Sequence, residues 1–566
     1  MTLQAKLDKA FSRLQRGEIN DAIRIYTDIL GNSKQQPDAL YMLGAIAYKL
    51  GAMEQSFEFA TAATEASPRY ARGWVLKALS LRALRRVDEA LTTARYALEL
   101  DPQLTEAWEC AGMALMHYGK WAEARSHFEL ALEYVPENAA LHGCYALVLA
   151  EQGDLISGWN ECREALLRNP DTPVALMAKT TILAHAGYYD LALACCRAAG
   201  KHEKIRKSMA FGEAETLLIT GRFEKGYAML AADEPTHSPK KSLSDWRGQD
   251  DPNLHLVLFG EQGYGDTLQF IRFVERASEK VGRVTVRVPI PLERLIRTSM
   301  PELPISVYQP LTTVGRRPMR EIDPVFEFPP DAQARSALTS LPYLLDIGAN
   351  PQPETVPYLH AEPVLMAQWR SRIAKVARPR IGLVWSGSEQ NSVNHMRSIP
   401  FEELSPLIER FGPHLVSMQT ASAGDDARAA GIFDATPFIK DFADSAALLQ
   451  ELDLLVTVCS APAHLAGGMG RPVWLALAYN ADWRWLVARE DSPWYPSARL
   501  YRQPQPGDWG NVVRRICEDL DKFMSGDRDI LKPPRWKGGY PLRNPNAVEL
   551  PGIQDEAGFS NKTASC

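Results

Sequence analysis

The residues best suited to chemistry follow a short apolar strand, HLVLF (255–259). The next stretch, FGEQGYGDTLQF (259–270), contains Gly263 and Gly265, and then Asp266 at the predicted start of a helix. Glycines permit a tight turn and a close approach of the backbone to a ligand. A carboxylate here can act as general base on an acceptor hydroxyl. It can also cap the helix, where Asp is favoured, so both interpretations stay open.

A second candidate stretch is WSGSEQNSVNHMRSIPFEEL (385–404), which also follows a predicted strand. It combines the small residues Ser386 and Gly387 with Arg397. Backbone amides and a forked cation suit the oxygens of a phosphate group. The alternative is an ordinary surface loop in which the arginine is solvated.

The third stretch is TVCSAPAHLAGGMGRPVW (457–474), with Ser460 and Ala461 at a predicted helix start and His464 in its first turn. Free amides and the positive end of a helix form an anion site. His464 can add a hydrogen bond or a positive charge to a phosphate. The alternative is a structural histidine with satisfied hydrogen bonds.

All three stretches are predicted to follow strands of parallel sheets, where ligands bind beyond the carboxyl ends. Apolar strands alternate with helical segments in two blocks, which predicts two Rossmann-like halves with a cleft between them. The predicted strands are HLVLF, VTVRV, ISVY and PVFEF in the first block, and RIGLVW, HLVSMQ, LDLLVTV and PVWLAL in the second. The predicted boundaries are a linker over 236–253, a first half over 254–350, a crossing segment with a bridging helix over 351–379, a second half over 380–525 and a flexible tail over 526–566.

The first part of the chain repeats at an interval of 34 residues. Gly17, Gly51, Arg85, Gly119, Gly153, Gly187 and Gly221 keep this step, and each is predicted to open the second helix of a helical pair. A small residue follows five positions later, at Ala22, Ser56, Ala90, Ala124, Gly158, Ala192 and Gly226. Prolines recur at 68, 102, 136 and 170, where a fixed φ and a missing N–H suit the first residue of a helix.

The period, the small residues and the prolines are similar to those of tetratricopeptide (TPR) repeats. The resemblance implies about seven repeat units over residues 1–235. Stacked units of this kind bury a continuous core and bind protein segments along a concave face.

Composition favours a soluble, cytoplasmic protein of two to four domains. The 566 residues have a net charge of −6 with both signs interspersed, which argues against a nucleic-acid surface. No run approaches the ~18 apolar residues of a membrane span, and the first residues lack the apolar core of a signal peptide. Eight scattered cysteines without C-x-x-C pairs indicate reduced thiols rather than a metal site or disulfides.

Five segments in order give a second resemblance. EQGYGDTLQF, RIGLVWSGS with RSIP, DFADSAALL, LDLLVTVCSAPAHLAG and ADWRWLVAREDSPWYPSARLYRQPQPGDW resemble the glycosyltransferase half of bacterial TPR–glycosyltransferases. These are similar in turn to the lipopolysaccharide heptosyltransferases of the GT-B fold. The resemblance covers about 250–525 and implies a TPR α-solenoid followed by a GT-B domain.

The resemblance also assigns roles to residues. Asp266 falls on the family's catalytic aspartate and is therefore favoured as the base. Arg397 lies where the family places a basic residue against donor phosphates. Ser460, Ala461 and His464 match the donor-binding motif, and Cys459 stands where that motif has an aspartate that contacts the sugar. This departure from the family's motif argues against heptose as the donor sugar.

The implied function is metal-independent transfer of a sugar from a nucleotide sugar to a protein hydroxyl, with no cofactor. The acceptor implied by the resemblance is flagellin held by the repeats, and the donor a CMP-linked nonulosonic sugar such as pseudaminic acid. Two alternatives remain at this stage. One is a non-catalytic adaptor with a degenerate glycosyltransferase-like domain, and the other is a lipopolysaccharide glycosyltransferase.

Overall fold

The computed structural model describes residues 2–232, 243–260, 263–308, 328–348, 355–388, 391, 393–419, 424–538 and 543–554. The chain divides into two compact units, Met1–Lys179 and Thr180–Cys566. In these ranges, no helix is both long enough and apolar enough to cross a lipid bilayer.

Residues 2–232 form paired helices, as the period predicts. They are α1 (Leu3–Gln15), α2 (Ile19–Asn32), α3 (Pro37–Lys49), α4 (Met53–Ala66), α5 (Ala71–Ala83), α6 (Val87–Leu100), α7 (Thr105–His117), α8 (Trp121–Tyr134), α9 (Ala139–Glu151), α10 (Leu155–Arg168), α11 (Pro173–His185), α12 (Tyr189–Ala199), α13 (Arg206–Ile219) and α14 (Phe223–Ala232). The recurring small residues are buried where helices meet; Ala22, Ala90 and Ala124 have no exposed surface. Packing of this kind lets neighbouring helices approach closely.

The recurring glycines lie in the turn inside each helical pair, which confirms their predicted place. All seven positions have a positive φ, between 64° and 90°. This left-handed conformation is open to glycine and strained for other residues. The 34-residue period of these glycines therefore reflects the left-handed backbone conformation of the turn and not a side-chain contact.

The interpretation of the recurring prolines was wrong. Helix α5 begins at Ala71, whereas Pro68 directly follows Ser67, the C-cap residue of α4. Pro102 follows the C-cap residue of α6 in the same way. Proline is common just after a helix because it cannot continue one. These prolines end helices and do not begin them.

Arg85 is the one of the seven turn positions that is not glycine, and its φ is 64°. We expect Arg85→Gly to raise the free energy of unfolding by about 1 kcal/mol, because glycine adopts this conformation without strain. Urea unfolding of the two proteins measures the difference. Gly51→Ala is the matched control. Its φ is 82° and an added Cβ would meet no atom within 4 Å, so strain alone should lower stability. An Arg85→Gly protein no more stable than the parent would contradict the assignment of strain.

The second unit contains two parallel sheets. The strands of the first are β1 (Ser244–Asp245), β2 (Asp251–Phe259), β3 (Val281–Pro289), β4 (Ile305–Tyr308) and β5 (Ala334–Ala337), in the order β1-β5-β2-β3-β4. Its register aligns Val257 with Thr285 on one side and with Arg335 on the other. The predicted strands HLVLF, VTVRV and ISVY are confirmed, and β5 was missed. PVFEF lies almost wholly outside the described residues.

The second sheet consists of β6 (Ile381–Val384), β7 (Leu415–Ser417), β8 (Phe433–Asp434), β9 (Leu454–Val458), β10 (Val473–Leu477) and β11 (Ala498–Arg502). Its order is β11-β10-β9-β6-β7-β8, and every pair is parallel. All residues of β9 and β10 are buried, as expected for strands covered on both faces.

Helices connect these strands. They are α15 (Tyr264–Phe270), α16 (Val274–Ser278), α17 (Ile290–Ser299), α18 (Leu341–Leu344), α19 (Pro363–Arg372), α20 (Asn394–Arg397), α21 (Ser405–Phe411), α22 (Gly424–Ala429), α23 (Phe442–Glu451), α24 (Ala461–Gly468) and α25 (Trp509–Met524). The bridging helix expected in the crossing segment is α19, while residues 351–354 of that segment lie outside the described part.

The strand order fixes where a ligand would bind. In the first sheet β2 has β3 on one side and β5 on the other, and in the second β6 lies between β7 and β9. The order of the chain reverses at these strands, which is where crevices form in open parallel sheets. The stretches after β2, β6 and β9 are the three selected from the sequence.

The last repeat helices lie in the second compact unit, and the predicted end of the repeats at residue 235 stays a prediction. Phe223 and Tyr227 of α14 are buried in the same apolar core as β2 and β3. The Phe223 ring lies 6.0 Å from that of Trp494, edge to face. The division between the two compact units falls after Lys179.

The structure describes parts of the predicted linker and of the predicted tail. Ser244 and Asp245, inside the predicted linker, pair with Ala334 and Arg335, and the neighbouring Trp246 is 2% exposed; residues 236–242 lie outside the described part. In the predicted flexible tail, 543–554 pack against the turn between α11 and α12. The amide of Asn544 donates to the carbonyl of Gly187 at 2.8 Å. Residues 555–566 are not among those described.

Candidate functional site

Two short helices bring the switch-point ends of the two sheets together. Helix α15 follows β2 of the first sheet, and α24 follows β9 of the second, and the two helices pack against each other. Gly265 lies at this contact: a Cβ added to it would lie 2.8 Å from Cδ2 of His464. Glycine is therefore required here for close packing, and it places Asp266 next to the helix that carries His464.

Asp266 is held from two sides. It is the third residue of α15, not the N-cap residue, which is Gly263. Its Oδ2 accepts the Gly263 N–H at 2.9 Å, and its Oδ1 accepts a hydrogen bond from Nη2 of Arg484. Asp266 thus caps the helix by reaching back from its first turn rather than from the N-cap position. The catalytic interpretation remains a prediction.

Arg484 connects Asp266 to a second carboxylate. It lies in a short 3-10 turn, Trp483–Trp485, whose N-cap residue is Asp482. Its Nη1 donates to both oxygens of Asp482, at 2.9 and 3.0 Å. The Arg484 side chain is 8% exposed, against 17% for Asp266. Burial lowers the pKa of Arg484, but the charges of Asp266 and Asp482 outweigh it and raise the pKa above its ordinary value.

His464 is buried in the site, 5% exposed. Its Nδ1 lies 2.9 Å from the hydroxyl of Tyr495, and its ring stacks on Trp485 at 5.2 Å. Burial, followed by the positive charge of Arg484, lowers the pKa of His464 to about 3. The lowered pKa favours the neutral imidazole. The two roles predicted toward a phosphate, a hydrogen bond and a positive charge, stay predictions.

The lowered pKa of His464 predicts acid sensitivity. Between pH 6.5 and about 3 the unfolded chain binds a proton at this imidazole and the folded chain does not. The free energy of unfolding therefore falls as the pH is lowered through this window, by up to about 1.4 kcal/mol per pH unit from this group. Urea midpoints measured at pH 6.5, 5.5 and 4.5 should fall less steeply for His464→Gln. Equal slopes for both proteins would contradict the lowered pKa.

Cys459, at the end of β9, faces Trp485. The Trp485 indole Nε1–H donates to Sγ of Cys459 at 3.0 Å. Burial, reinforced by the charge of Asp482, raises the pKa of the Cys459 thiol to about 11. A raised pKa favours the neutral thiol, which is a weaker hydrogen-bond acceptor than a carboxylate. The predicted place of Cys459 in a sugar pocket stays a prediction.

Arg397 lies against the backbone of the second candidate stretch. A Cβ added to Gly387 would lie 2.5 Å from Nη2 of Arg397, so the glycine leaves room for the guanidinium. Ser386 shares a hydrogen bond of 2.9 Å with Ser398, next to Arg397. The charge of Arg397 contributes to the lowered pKa of His464, which places both in one electrostatic environment.

Ser460 and Ala461 begin α24 as predicted. Ser460 is the N-cap residue, but its side chain caps no amide of the helix. Its hydroxyl donates instead to the carbonyl of Val458 at 3.2 Å. The amide of Ala461 and the positive end of α24 therefore lie beside the site, whereas Pro462 supplies no N–H.

Sequence reasoning selected the three stretches but missed Asp482, Arg484, Trp485 and Tyr495 as site residues. All four lie in the segment ADWRWLVAREDSPWYP, which was noted for its resemblance alone. The sequence contained a signal that could have identified two of them. Asp482 and Arg484 are charged residues among tryptophans, and they follow the carboxyl end of β10.

The comparisons with known proteins identify the repeats. A tetratricopeptide repeat model matches residues 105–138, and another matches 7–71 and 56–105. The N-terminal helices are tetratricopeptide repeats. TPR repeats generally mediate protein–protein interaction, and here they precede a region of parallel sheets and helices.

A relative extends the similarity beyond the TPR repeats. The chain is 27% identical over 410 residues to Protein FlbA of Caulobacter vibrioides, a match that covers 67% of this chain. It covers 66% of FlbA, just under two thirds of that protein's length.

Among solved structures, the TPR repeats resemble other TPR proteins. One is a thermophilic TPR protein from Thermus thermophilus, with a TM-score of 0.28 and 20% identity over 32% of this chain and 98% of that one. Another is a tetratricopeptide repeat protein from Parabacteroides merdae, with a TM-score of 0.34 and 14% identity over 42% of this chain and 94% of that one.

Proposed function

We propose that this chain is a protein O-glycosyltransferase of the GT-B type, which moves a sugar from a nucleotide sugar to Ser or Thr of an acceptor held by the TPR repeats. One observation carries the proposal. The Asp266 carboxylate, presented at the switch point of the first sheet, lies beside α24, which begins at the switch point of the second sheet. This arrangement supports a base and a phosphate site at neighbouring strand ends.

The reaction uses the chain's own residues in three roles. Asp266 takes the proton of the acceptor hydroxyl, whose oxygen bonds to the anomeric carbon of the sugar. The bond from that carbon to the donor phosphate breaks, and the phosphate leaves with the electron pair. Arg397, the amide of Ala461 and the positive end of α24 stabilise the charge that develops on it. The neutral imidazole of His464 and the thiol of Cys459 provide an uncharged surface beside these residues.

The acceptor in this proposal is flagellin, and the donor a CMP-linked nonulosonic acid. The resemblance to TPR–glycosyltransferases and the similarity to FlbA support a flagellar acceptor. A neutral thiol at Cys459 supports an acidic sugar, because an aspartate at that place would repel the sugar carboxylate.

Intact-mass measurement of flagellin tests this function. Flagellin from a strain that lacks the gene should be lighter than wild type by whole sugar units, and the plasmid-borne gene should restore the mass. Identical masses would refute the flagellin assignment. Lipopolysaccharide from the same strains serves as a second readout, since changed mobility there would favour a lipopolysaccharide acceptor.

A non-catalytic adaptor is the second candidate, favoured by the engagement of both Asp266 oxygens and by the thiol at Cys459. An adaptor of this kind needs no donor. Calorimetric titration of the full chain with CMP, UDP and CMP-pseudaminic acid separates the two, because lack of binding by all three would favour the adaptor.

A further inference from the structure

We infer that Arg484 is a positioning residue: it fixes the orientation of the Asp266 carboxylate, while Asp482 takes up part of its charge so that Asp266 remains able to accept a proton. The inference rests on the proposed function, for which Asp266 is the base. It assigns roles to two residues that neither the family resemblance nor the comparisons assign.

The contacts explain why Arg484 fixes Asp266. The Arg484 guanidinium lies over the Trp483 ring, 4.3 Å from its centroid, and is 8% exposed. Trp483 is itself buried and stacks edge to face on Tyr227 of α14 at 5.9 Å. A planar cation held in this way presents its N–H groups in one direction. Asp266 Oδ1 accepts from that fork while Oδ2 accepts from Gly263, so the carboxylate cannot rotate.

Asp482 explains why the ion pair does not disable the base. A guanidinium paired with Asp266 alone would favour its charged form strongly and weaken it as a proton acceptor. Here Nη1 of Arg484 donates to both oxygens of Asp482, leaving one N–H of Nη2 on Asp266. Two carboxylates share one cation, so the group as a whole is negative.

Other charged or titratable groups also face this part of the molecule. They are His464 of α24, Cys459 at the end of β9, Arg397 of α20, Tyr227 of α14, Tyr264 of α15, Arg272 after it, and Arg287 and Tyr308 at the ends of β3 and β4. The turn 338–340 also contacts α15 and has no titratable side chain. Arg484 donates directly to Asp266, and Asp482 is linked to Asp266 through Arg484.

The test is the pH dependence of kcat/KM for the full chain with flagellin and CMP-pseudaminic acid. Arg484→Gln should lower kcat about 10- to 100-fold, because the carboxylate loses its orientation. It should also move the acidic limb of the profile to higher pH, since a positive charge beside the base is lost. Asp482→Asn should move the same limb to lower pH, because Arg484 then acts on Asp266 undiminished.

Two controls keep the test decisive. Arg484→Lys retains the positive charge, so its acidic limb should lie at the same pH as that of the parent chain, while its kcat is only partly restored relative to Arg484→Gln. If Arg484→Gln fails to fold, Arg484→Lys and Asp482→Asn together test the inference. Arg294 is a matched arginine, which donates to Asp441 and Asp444 at 2.8 and 2.9 Å. Arg294→Gln should leave the profile unchanged.

The outcomes separate this inference from the proposed function. Opposite shifts for Arg484→Gln and Asp482→Asn support the inference. Transfer by the parent chain with unshifted profiles in both variants would overturn the inference alone. No transfer by the parent chain would overturn the proposed function and the inference with it.

Discussion

Replacing Asp266 with Asn should lower the rate of sugar transfer by about 10²- to 10⁴-fold, the usual contribution of a general base. The amide keeps the size of the carboxylate, and its oxygen can still accept from Gly263 or Arg484, but it cannot take up a proton. The rate is measured as the increase in flagellin mass with time in the presence of CMP-pseudaminic acid. Calorimetry of the same variant should show donor binding close to that of the parent.

The matched control for this substitution is Asp508→Asn. Like Asp266, Asp508 accepts a backbone N–H at the start of a helix: it is the N-cap residue of α25, and its Oδ1 accepts the N–H of Asn511 at 3.0 Å. Asn is as good an N-cap residue as Asp, so neither stability nor transfer should change. A full transfer rate in Asp266→Asn would mean that another group accepts the proton. Loss of transfer in both variants would point to a defect of folding.

Among glycine-to-alanine substitutions in the first unit, Gly112→Ala should lower the free energy of unfolding most. A Cβ at Gly112 of α7 would lie 2.1 Å from Cζ of Phe128, and within 2.7 Å of two further ring carbons. The Phe128 ring is fully buried in α8, so it has no free space to enter. Overpacking of this severity is expected to lower the free energy of unfolding by about 3 kcal/mol. Urea unfolding measures the loss, and hydrogen exchange locates it on α7 and α8.

Gly31→Ala is the same type of substitution, and we expect it to have the opposite effect on the free energy of unfolding. Gly31 lies in helix α2, and a Cβ there would meet no atom within 4 Å. Only the helix preference of alanine then acts, which should raise the free energy of unfolding by about 0.5–1 kcal/mol. Comparable losses for the two variants would show that the contact with Phe128 is not the cause.

The repeat helices could be predicted closely because their period records backbone geometry. A positive φ at Gly51 or Gly119 is a local property that the residue type reveals. The prolines were assigned to the wrong end of the connection because a fixed φ suits both the start of a helix and the residue after one. Pro68 follows a helix, whereas Pro37 begins α3.

Strands were predictable where burial on both faces made them long and apolar, as in β9 and β10. Two of the missed strands, β5 and β8, lack this property. Ala334–Ala337 has four small or charged residues, and Phe433–Asp434 has two residues, so neither shows a periodic pattern. Their pairing is decided by the neighbouring strands β2 and β7.

Only part of the candidate site could be predicted, because some of its residues interact with partners that are far away in the sequence. Asp266, Ser460 and His464 follow strands directly, so the rule for strand ends selects each of them alone. Arg484 forms its ion pair with a residue 218 positions away, and no local pattern shows such a partner. The neutral state of His464 also depends on burial by Trp485 and Tyr495, which the fold alone decides.

The packing of α14 restricts how this protein can evolve. Tyr227 and Phe223 lie against Trp483 and Trp494, the first of which directly precedes Arg484. Duplication or loss of a 34-residue unit at this end would remove or shift these rings, whereas a unit gained or lost within α1–α10 leaves them in place. Related proteins are therefore expected to differ in repeat number before residue 180, with the final pair of helices inherited together with the sheets. Lineages can thus change how long a partner segment the repeats hold without altering the site that would act on it.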